Sequence, residues 1–346
     1  LPIYCNSLNN VCIPKTLVEC YSKDFFKDEG GPFRDCINLK NISFEEGITN
    51  IPKKLFYRCT GIEKINIPDT VIMIDDRAFK ECTSLKNIQL SNNLTTIGQE
   101  AFNGCTSLEK VVIPNSVTTI KGAAFLACSK LSDVTLSKNL LSLGGYAFGD
   151  CDSLESIEIP KSVKDTTSEY YGQYIYDYQW GVFIACDNLK NITFEKGTTQ
   201  IVYGMFANNE SIEKIEIPET VTTIGSDAFY KCTSLTEINI PDTVLTVGSY
   251  AFGGCKNLEK VHLPKNIKNI EKGTFKDCSV LKDITIPDTV MKIGDVAFSG
   301  CTALPQITLP ASVQTIGDKA FSHCEALADV KLSEGLTSIG SYAFEY

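Results

Sequence analysis

Hydrophobic and polar positions along the chain follow a repeat of 23 residues. Phenylalanine marks the repeat most clearly, and most of these phenylalanines are followed three residues later by cysteine and after three more by Leu or Ile. The phenylalanines of the series are Phe33, Phe56, Phe79, Phe102, Phe125, Phe148, Phe183, Phe206, Phe229, Phe252, Phe275, Phe298, Phe321 and Phe344. Only the step from Phe148 to Phe183, which is 35 residues long, departs from the period. A repeat of this length predicts a solenoid, in which short stacked coils bury one continuous hydrophobic interior.

Each repeat alternates apolar and polar residues in a way that predicts a short strand followed by a turn. Residues Leu85 to Leu90 have the spacing L-x-x-L-x-L, which is typical of leucine-rich repeats. Ile88 and Leu90 alternate with polar residues, so their side chains are expected to point inward from a strand. Proline lacks the amide proton that a sheet requires, and it ends the strand in eight repeats. These prolines are Pro68, Pro114, Pro160, Pro218, Pro241, Pro264, Pro287 and Pro310.

A second apolar pair in each repeat, such as Val117 and Ile120, predicts the next inward-facing side of the coil. Gly98 and its equivalents then turn the chain towards the next phenylalanine. The predicted fold class is therefore a leucine-rich-repeat solenoid. We expect a curved ribbon of about 14 stacked coils, mostly β-strands and turns, with a parallel β-sheet on one face. It should form a single domain over residues 1–346.

Two insertions interrupt the repeat, near residues 18–30 and 164–180. Insertions in solenoids form loops at one edge, often the binding edge, and Tyr and Trp are enriched at the energetic centres of interfaces. The second insertion is rich in both, and its candidate partner-binding residues are Tyr170, Tyr171, Tyr174, Tyr176, Tyr178 and Trp180. The alternative is that these rings cover the hydrophobic seam that the interrupted coil leaves open.

The 15 cysteines are spaced as packing residues rather than as metal-binding or disulfide pairs. No Cys-x-x-Cys pair is present, although zinc modules require close pairs. Most of the cysteines hold the same position in successive coils, where parallel side chains do not meet, so we expect them to be small buried hydrophobic residues. Asn209 replaces cysteine in one coil. Cys12 and Cys20 lie outside the series; they could pair in an oxidising compartment, and otherwise they stay free.

Charge and hydrophobicity exclude several classes of protein. The net charge is −10, with acidic and basic residues mixed along the chain, so the basic surface that nucleic acid or anionic lipid requires is not expected. No run of about 18 apolar residues is present, so no transmembrane segment is predicted. Because the chain begins and stops inside a repeat, we expect further repeats or capping elements beyond one or both ends.

No catalytic set can be assembled from the sequence. The two histidines, His262 and His323, are predicted on the outer strand face and just after a core phenylalanine, respectively. No G-x-S-x-G motif, phosphate-binding loop or H-E-x-x-H motif is present. We therefore expect no enzyme activity, no metal and no cofactor. The outer strand face is polar and mixed in charge, and it could either bind an extended partner or simply be solvated.

The repeat resembles the leucine-rich repeats of the BspA type. The resemblance is carried by Cys82–Leu85, by Ile97-Gly98 and by Ala101-Phe102, together with their equivalents over nearly the whole chain. Members of this family occur on surface proteins of bacteria and some parasitic protists and are described as adhesion or host-interaction proteins. The resemblance implies an extracellular or cell-surface interaction module whose partners are extracellular or host proteins or glycans. The alternative is a structural spacer or scaffold that presents another domain.

Overall fold

A computed structural model of the chain describes residues 5, 7–20, 30–166 and 181–345. Over these residues the chain forms short β-strands joined by turns and contains no helix. It divides into two compact units. The first unit comprises Leu1–Tyr178 and Ala185–Leu189, and the second comprises Gln179–Ile184 and Lys190–Tyr346.

The two predicted insertions fall largely on residues 21–29 and 167–180, outside the described part of the chain. The prediction of a single domain over residues 1–346 stays a prediction. Over its described residues the first unit contains twelve strands, which are β1 (Asn10–Ile13), β2 (Asn41–Phe44), β3 (Asn50–Ile51), β4 (Lys64–Asn66), β5 (Met73–Ile74), β6 (Asn87–Gln89), β7 (Thr96–Ile97), β8 (Lys110–Val112), β9 (Thr119–Ile120), β10 (Asp133–Thr135), β11 (Ser142–Leu143) and β12 (Ser156–Ile159).

The second unit continues the same alternation of strands. Its strands are β13 (Asn191–Phe194), β14 (Gln200–Ile201), β15 (Thr223–Ile224), β16 (Glu237–Asn239), β17 (Thr246–Val247), β18 (Lys260–His262), β19 (Asn269–Ile270), β20 (Asp283–Ile284), β21 (Lys292–Ile293), β22 (Gln306–Thr308), β23 (Thr315–Ile316), β24 (Asp329–Lys331) and β25 (Ser338–Ile339).

Most coils contribute two strands, which belong to two different parallel sheets. In the first unit, β4, β6, β8 and β10 form one sheet, and β3, β5, β7, β9 and β11 form the other. The repeat length sets the register: Ile65 pairs with Ile88 in the first sheet, and Ile74 with Ile97 in the second. In the second unit, β16, β18 and β20 form a sheet equivalent to the first of these, and β19, β21, β23 and β25 form a sheet equivalent to the second.

The predicted leucine-rich-repeat solenoid is confirmed, with about 12 turns in place of the 14 expected. The larger number came from the phenylalanine series, which also includes partial coils. A second parallel sheet accompanies the one that was predicted. It forms because its positions hold β-branched residues such as Thr96 and Ile97, which favour a pleated backbone.

Phenylalanine side chains form a continuous stack inside each unit. The ring centroids of Phe79 and Phe102 lie 5.3 Å apart with their planes 1° from parallel, and those of Phe229 and Phe252 lie 5.3 Å apart at 5°. The twelve phenylalanines of the series from Phe56 to Phe321 are each less than 2% exposed. Burial of each side chain contributes about 1.5–3 kcal/mol, so this shared interior is the main source of stability.

The five residues centred on each stacked phenylalanine, which we refer to as the phenylalanine turn, form a third ladder between coils. The backbone N–H groups of Glu100, Phe102 and Gly104 donate to carbonyl oxygens of the following coil at 3.0, 2.7 and 2.8 Å. The first and last residues of the turn have left-handed backbones, with φ of 53° at Glu100 and 74° at Gly104. Because that conformation costs a non-glycine residue about 1–2 kcal/mol, the hydrogen bonds are needed to hold it.

The buried cysteines continue this ladder. The thiol of Cys128 donates to the carbonyl oxygen of Phe102 at 3.2 Å, and the other buried cysteines of the series from Cys59 to Cys301 repeat the contact. Burial raises the pKa of these thiols, to about 12 for Cys186 and Cys255. Outside the series, Cys12 and Cys20 are unpaired, with Cys12 exposed on β1.

Candidate functional site

The strands of the sheet that contains β16 and β18, and their equivalents in the other coils, form a polar face with their outward side chains. In the second unit this face contains a groove. Its volume is about 550 Å³. The residues that line it come from three successive coils and are Lys214, Ile215, Glu216, Glu237, Ile238, Asn239, Lys260 and His262. Ile215 and Ile238 are buried beneath the face, whereas their polar neighbours point outward, because successive side chains of a strand alternate between faces. We refer to this surface as the strand-face groove.

Ion pairs between coils hold one row of the residues in the groove. The Lys214 Nζ lies 3.0 Å from Glu237 Oε1, and the Lys260 Nζ lies 3.4 Å from Asp283 Oδ2. Because all four side chains are more than half exposed, each pair contributes only about 0.2–1 kcal/mol to stability. Their larger effect is on the surface itself, since the alternation of sign leaves this row close to neutral.

The second row of the groove offers free hydrogen-bonding groups. Glu216, Asn239 and His262 are exposed, and within residues 181–345 their side chains make no hydrogen bond. Asn239 and His262 stand directly beside each other in the register of β16 and β18. The row therefore presents a carboxylate, an amide and an imidazole on a rigid sheet, where binding immobilises few additional groups.

A smaller groove of about 340 Å³ occupies the same strand positions in the first unit. The residues that line it are Asn87, Ile88, Gln89, Leu90, Asn92, Lys110, Val112 and Pro114. Val112 is 51% exposed, and Lys110 is paired with Asp133 at 2.6 Å. The two grooves have the same backbone framework but differ in chemistry. The groove of the first unit is lined mainly by amide and apolar side chains, whereas the strand-face groove of the second unit is lined by charged ones.

The aromatic residues predicted to bind a partner lie outside the described residues. They are Tyr170, Tyr171, Tyr174, Tyr176, Tyr178 and Trp180, and their role stays a prediction. The structure places His262 on the outer strand face and His323 two residues after Phe321, as the sequence analysis predicted. The sequence indicates that the polar outer strand face could bind a partner but does not locate the strand-face groove within it, although Lys214, Glu237, Lys260 and Asp283 alternate in charge at the repeat interval.

Two features are absent from the described residues. In residues 5, 7–20, 30–166 and 181–345, no group of three or more His, Cys, Asp and Glu side chains could hold a metal ion. In the same part of the chain, no helix is long and apolar enough to cross a membrane. Within residues 181–345, the side chain of His262 makes no hydrogen bond to a carboxylate or a nucleophile.

The stacked phenylalanines, the parallel ladders and the L-x-x-I-x-I strands together define a leucine-rich-repeat protein. A family model described as BspA type leucine rich repeat region matches residues 3–131, 49–178, 174–282 and 245–346. The chain therefore belongs to the BspA-type leucine-rich-repeat family. Among curated proteins, none matches the chain.

Several solved structures are similar to this chain. A leucine-rich repeat protein from Bacteroides ovatus is 28% identical with a TM-score of 0.66, over 86% of this chain and 80% of the other. A leucine rich cell surface protein from Faecalibacterium prausnitzii is 26% identical with a TM-score of 0.51, over 85% of this chain and 79% of the other. The pneumococcal vaccine antigen PcpA shares the fold. It is 23% identical with a TM-score of 0.54, over 86% of this chain and 73% of the PcpA chain.

Proposed function

We propose that this chain is a cell-surface or secreted interaction module that binds protein or glycan partners and catalyses no reaction. The strand-face groove carries the proposal, because it presents a row of exposed hydrogen-bonding side chains that make no hydrogen bond within residues 181–345. Membership of the BspA-type family and the similarity to a protein described as a leucine rich cell surface protein support the location.

The chemistry of the groove fits a polar partner of extended shape. Glu216 accepts hydrogen bonds, whereas Asn239 and His262 both accept and donate them, which suits glycan hydroxyls or peptide groups. The near-neutral row of ion pairs beside them repels neither acidic nor basic partners. Affinity would come from several modest contacts rather than from one deep pocket, as is usual for polar interfaces.

We further propose that the insertion at residues 164–180 forms a second contact element. Its tyrosines and tryptophan would supply a large contact area at low cost in conformational entropy. Replacing Tyr170, Tyr174 and Trp180 with serine should then weaken capture of the partner and leave the melting temperature unchanged. A lower melting temperature without loss of capture would instead mean that the rings cover a hydrophobic seam.

The groove is tested with a double variant and a matched control. We expect immobilised protein to bind at least one component of a glycan array or of a panel of purified extracellular-matrix proteins. Asn239→Ala/His262→Ala should weaken that binding by about tenfold or more, as interface centres do. Thr223→Ala/Thr246→Ala alters the outward row of the second sheet by the same number of side chains and should leave binding unchanged.

Two outcomes contradict the proposal. If no component of the array or panel binds, the chain is better described as a structural spacer that presents another domain. If both double variants bind as tightly as the wild-type protein, the strand-face groove is not the binding surface.

A further inference from the structure

A carboxylate without an internal partner lies on the phenylalanine-turn face of the second unit. Asp227 is the first residue of the turn around Phe229 and is partly buried. Within residues 181–345 its side chain makes no hydrogen bond and no ion pair. Burial alone raises the pKa of this carboxyl to about 6. A charge in such a place costs free energy, and perturbed carboxyls of this kind concentrate at functional sites.

Two tyrosines stand beside Asp227. Tyr230 belongs to the same turn, and its backbone N–H donates to the Asp227 carbonyl oxygen at 3.0 Å. Tyr250 holds the position equivalent to Asp227 in the following coil. The backbone N–H of Asp227 donates to the carbonyl oxygen of Ser249, the residue before Tyr250, at 2.9 Å. The two tyrosine rings lie with their centroids 6.4 Å apart and their planes at 90°. Asp227 thus occupies a turn position directly beside an edge-to-face pair of aromatic rings.

Glycines in the neighbouring coils leave room for the rings and for a ligand. A Cβ atom on Gly273 would collide with the ring of Tyr250, and one on Gly253 would lie 3.2 Å from Cδ2 of Tyr230. On the opposite side of Asp227, Gly204 holds the same position in the preceding coil, and a Cβ there would meet no atom within 4 Å. The turn position of Asp227 therefore has a coil with a tyrosine at the equivalent position on one side and a coil with a glycine there on the other.

The first unit shows what these three positions hold when the chain supplies every partner. The residues equivalent to the aspartate and the two tyrosines are, in order, Arg77, Lys80 and Glu100. Glu100 is 2% exposed; Arg77 Nη2 lies 3.0 Å from its Oε1, and Lys80 Nζ bonds to its Oε2. In this arrangement two cations of the chain satisfy a carboxylate. In the second unit the carboxylate lies at the position of Arg77, tyrosines hold the positions of Lys80 and Glu100, and within residues 181–345 no cation of the chain pairs with Asp227.

We propose that Asp227, Tyr230 and Tyr250 form a binding site for an alkylammonium group that another molecule supplies. The carboxylate provides the opposite charge, and tyrosine ring faces attract ammonium groups through their quadrupoles. An ammonium of the chain already uses one ring in this way, since the Nζ of Lys231 lies 5.3 Å from the centroid of Tyr230. The source is either the lysine side chain of a partner protein or a quaternary ammonium compound. The site lies on turn residues away from the strand-face groove, so it stands or falls independently of that groove.

The experiment is a chemical-shift titration of the ¹⁵N-labelled full chain at pH 7.5 and low salt. The two probes are Nα-acetyl-lysine methylamide and choline, and their neutral counterparts are Nα-acetyl-norleucine methylamide and 3,3-dimethyl-1-butanol. We expect at least one charged probe to bind with a dissociation constant on the order of 1 mM and to shift the amides around Asp227 and Tyr250. The neutral counterparts should bind about tenfold more weakly or worse. The stronger of the charged probes identifies the source of the ammonium group.

Three variants distinguish the site from non-specific attraction to an acidic protein. Asp227→Asn should weaken the binding of the charged probe by about tenfold or more, and Tyr250→Leu by about threefold or more. Tyr250→Phe keeps the ring and should retain affinity. Asp288→Asn removes the same charge from an exposed turn of the same unit and should have no effect. Equal affinity in Asp227→Asn and wild type, equal binding of neutral and charged probes, or no binding of either charged probe at 50 mM would each overturn the proposal.

Discussion

Asn209 donates a hydrogen bond from its Nδ2 to the carbonyl oxygen of Phe183 at 2.9 Å. In the following coil, Cys232 makes the equivalent contact by donating its thiol to the carbonyl oxygen of Phe206. The Oδ1 of Asn209 also accepts hydrogen bonds from the backbone N–H groups of Ser211 and Ile212, both at 3.1 Å. The side chain is completely buried. One amide therefore reproduces the contact of the thiol and fixes the start of the next segment as well.

Asn209→Ala should destabilise the second unit by about 3 kcal/mol, because it leaves a buried carbonyl and two buried amides with fewer partners. Asn209→Cys restores the donor found in the other coils and should cost only about 1 kcal/mol. Urea unfolding followed by circular dichroism measures both. Equal stability of the two variants would mean that the hydrogen bonds of Asn209 contribute nothing.

The buried cysteines should resist modification in the folded protein. Because burial disfavours the thiolate, which is the reactive form, Cys105 and Cys255 should remain unlabelled by a maleimide at pH 8. Cys12, which is exposed on β1, should be labelled within minutes under the same conditions. Mass spectrometry of tryptic peptides before and after denaturation in guanidinium provides the comparison. Labelling of Cys105 at the rate of Cys12 would contradict the buried ladder.

Val296 is the β-branched residue among the described residues that have left-handed backbones. Its φ is 49°, in the left-handed region, which strains a β-branched residue by about 1–2 kcal/mol. The hydrogen bond from its N–H to the carbonyl oxygen of Asp318, at 2.8 Å, holds it there. Val296→Asn should raise the free energy of unfolding by about 1 kcal/mol, since asparagine tolerates this region. Val296→Ile, which keeps the branch, should give no increase.

Asp227 should make the stability of the second unit depend on pH. Its pKa is raised to about 6 in the folded protein, above the value of about 3.9 in an unfolded chain, because burial disfavours the charge. The folded state therefore binds this proton more tightly, and the stability that results is present below about pH 4 and lost as the pH rises through 6. Asp227→Asn should be more stable than the wild type by about 1 kcal/mol at pH 7.5, allowing for partial exposure, and by little at pH 4. Urea unfolding at both pH values measures the difference, and a difference that does not change with pH would contradict the assignment.

The fold could be predicted from the sequence because its main determinants recur at one interval. The phenylalanine series and the alternation at Ile88 and Leu90 predict the stacked core and the first sheet, and both are confirmed. The left-handed residues of the phenylalanine turn could not be predicted, because residues such as Arg77 and Val296 occupy them instead of glycine. Hydrogen bonds between coils, which have no signature within one repeat, impose that conformation.

The candidate surfaces depend on comparisons across coils. The strand-face groove depends on the pairing of β16 with β18, which places Asn239 and His262 side by side. Asp227 looks like an ordinary acidic residue in sequence, and it becomes unusual only when Tyr250 and Gly204 are placed on either side of it. The role predicted for the aromatic insertion at residues 164–180 stays a prediction.

The backbone hydrogen bonds that join one phenylalanine turn to the next run in one direction within each unit. In most described turns the N–H of the phenylalanine, as at Phe102 and Phe229, donates to a carbonyl oxygen of the following coil, and the carbonyl oxygen of the residue before it accepts from the preceding coil. Aligned peptide units add their dipoles, as they do along a helix. Each unit is therefore electrically polar along its stacking direction, with the positive end on the side of its later coils. Two such stacks attract when the last coil of one faces the first coil of the other, and they repel when like ends face each other. Any self-association through the end coils should therefore be head to tail and not two-fold symmetric.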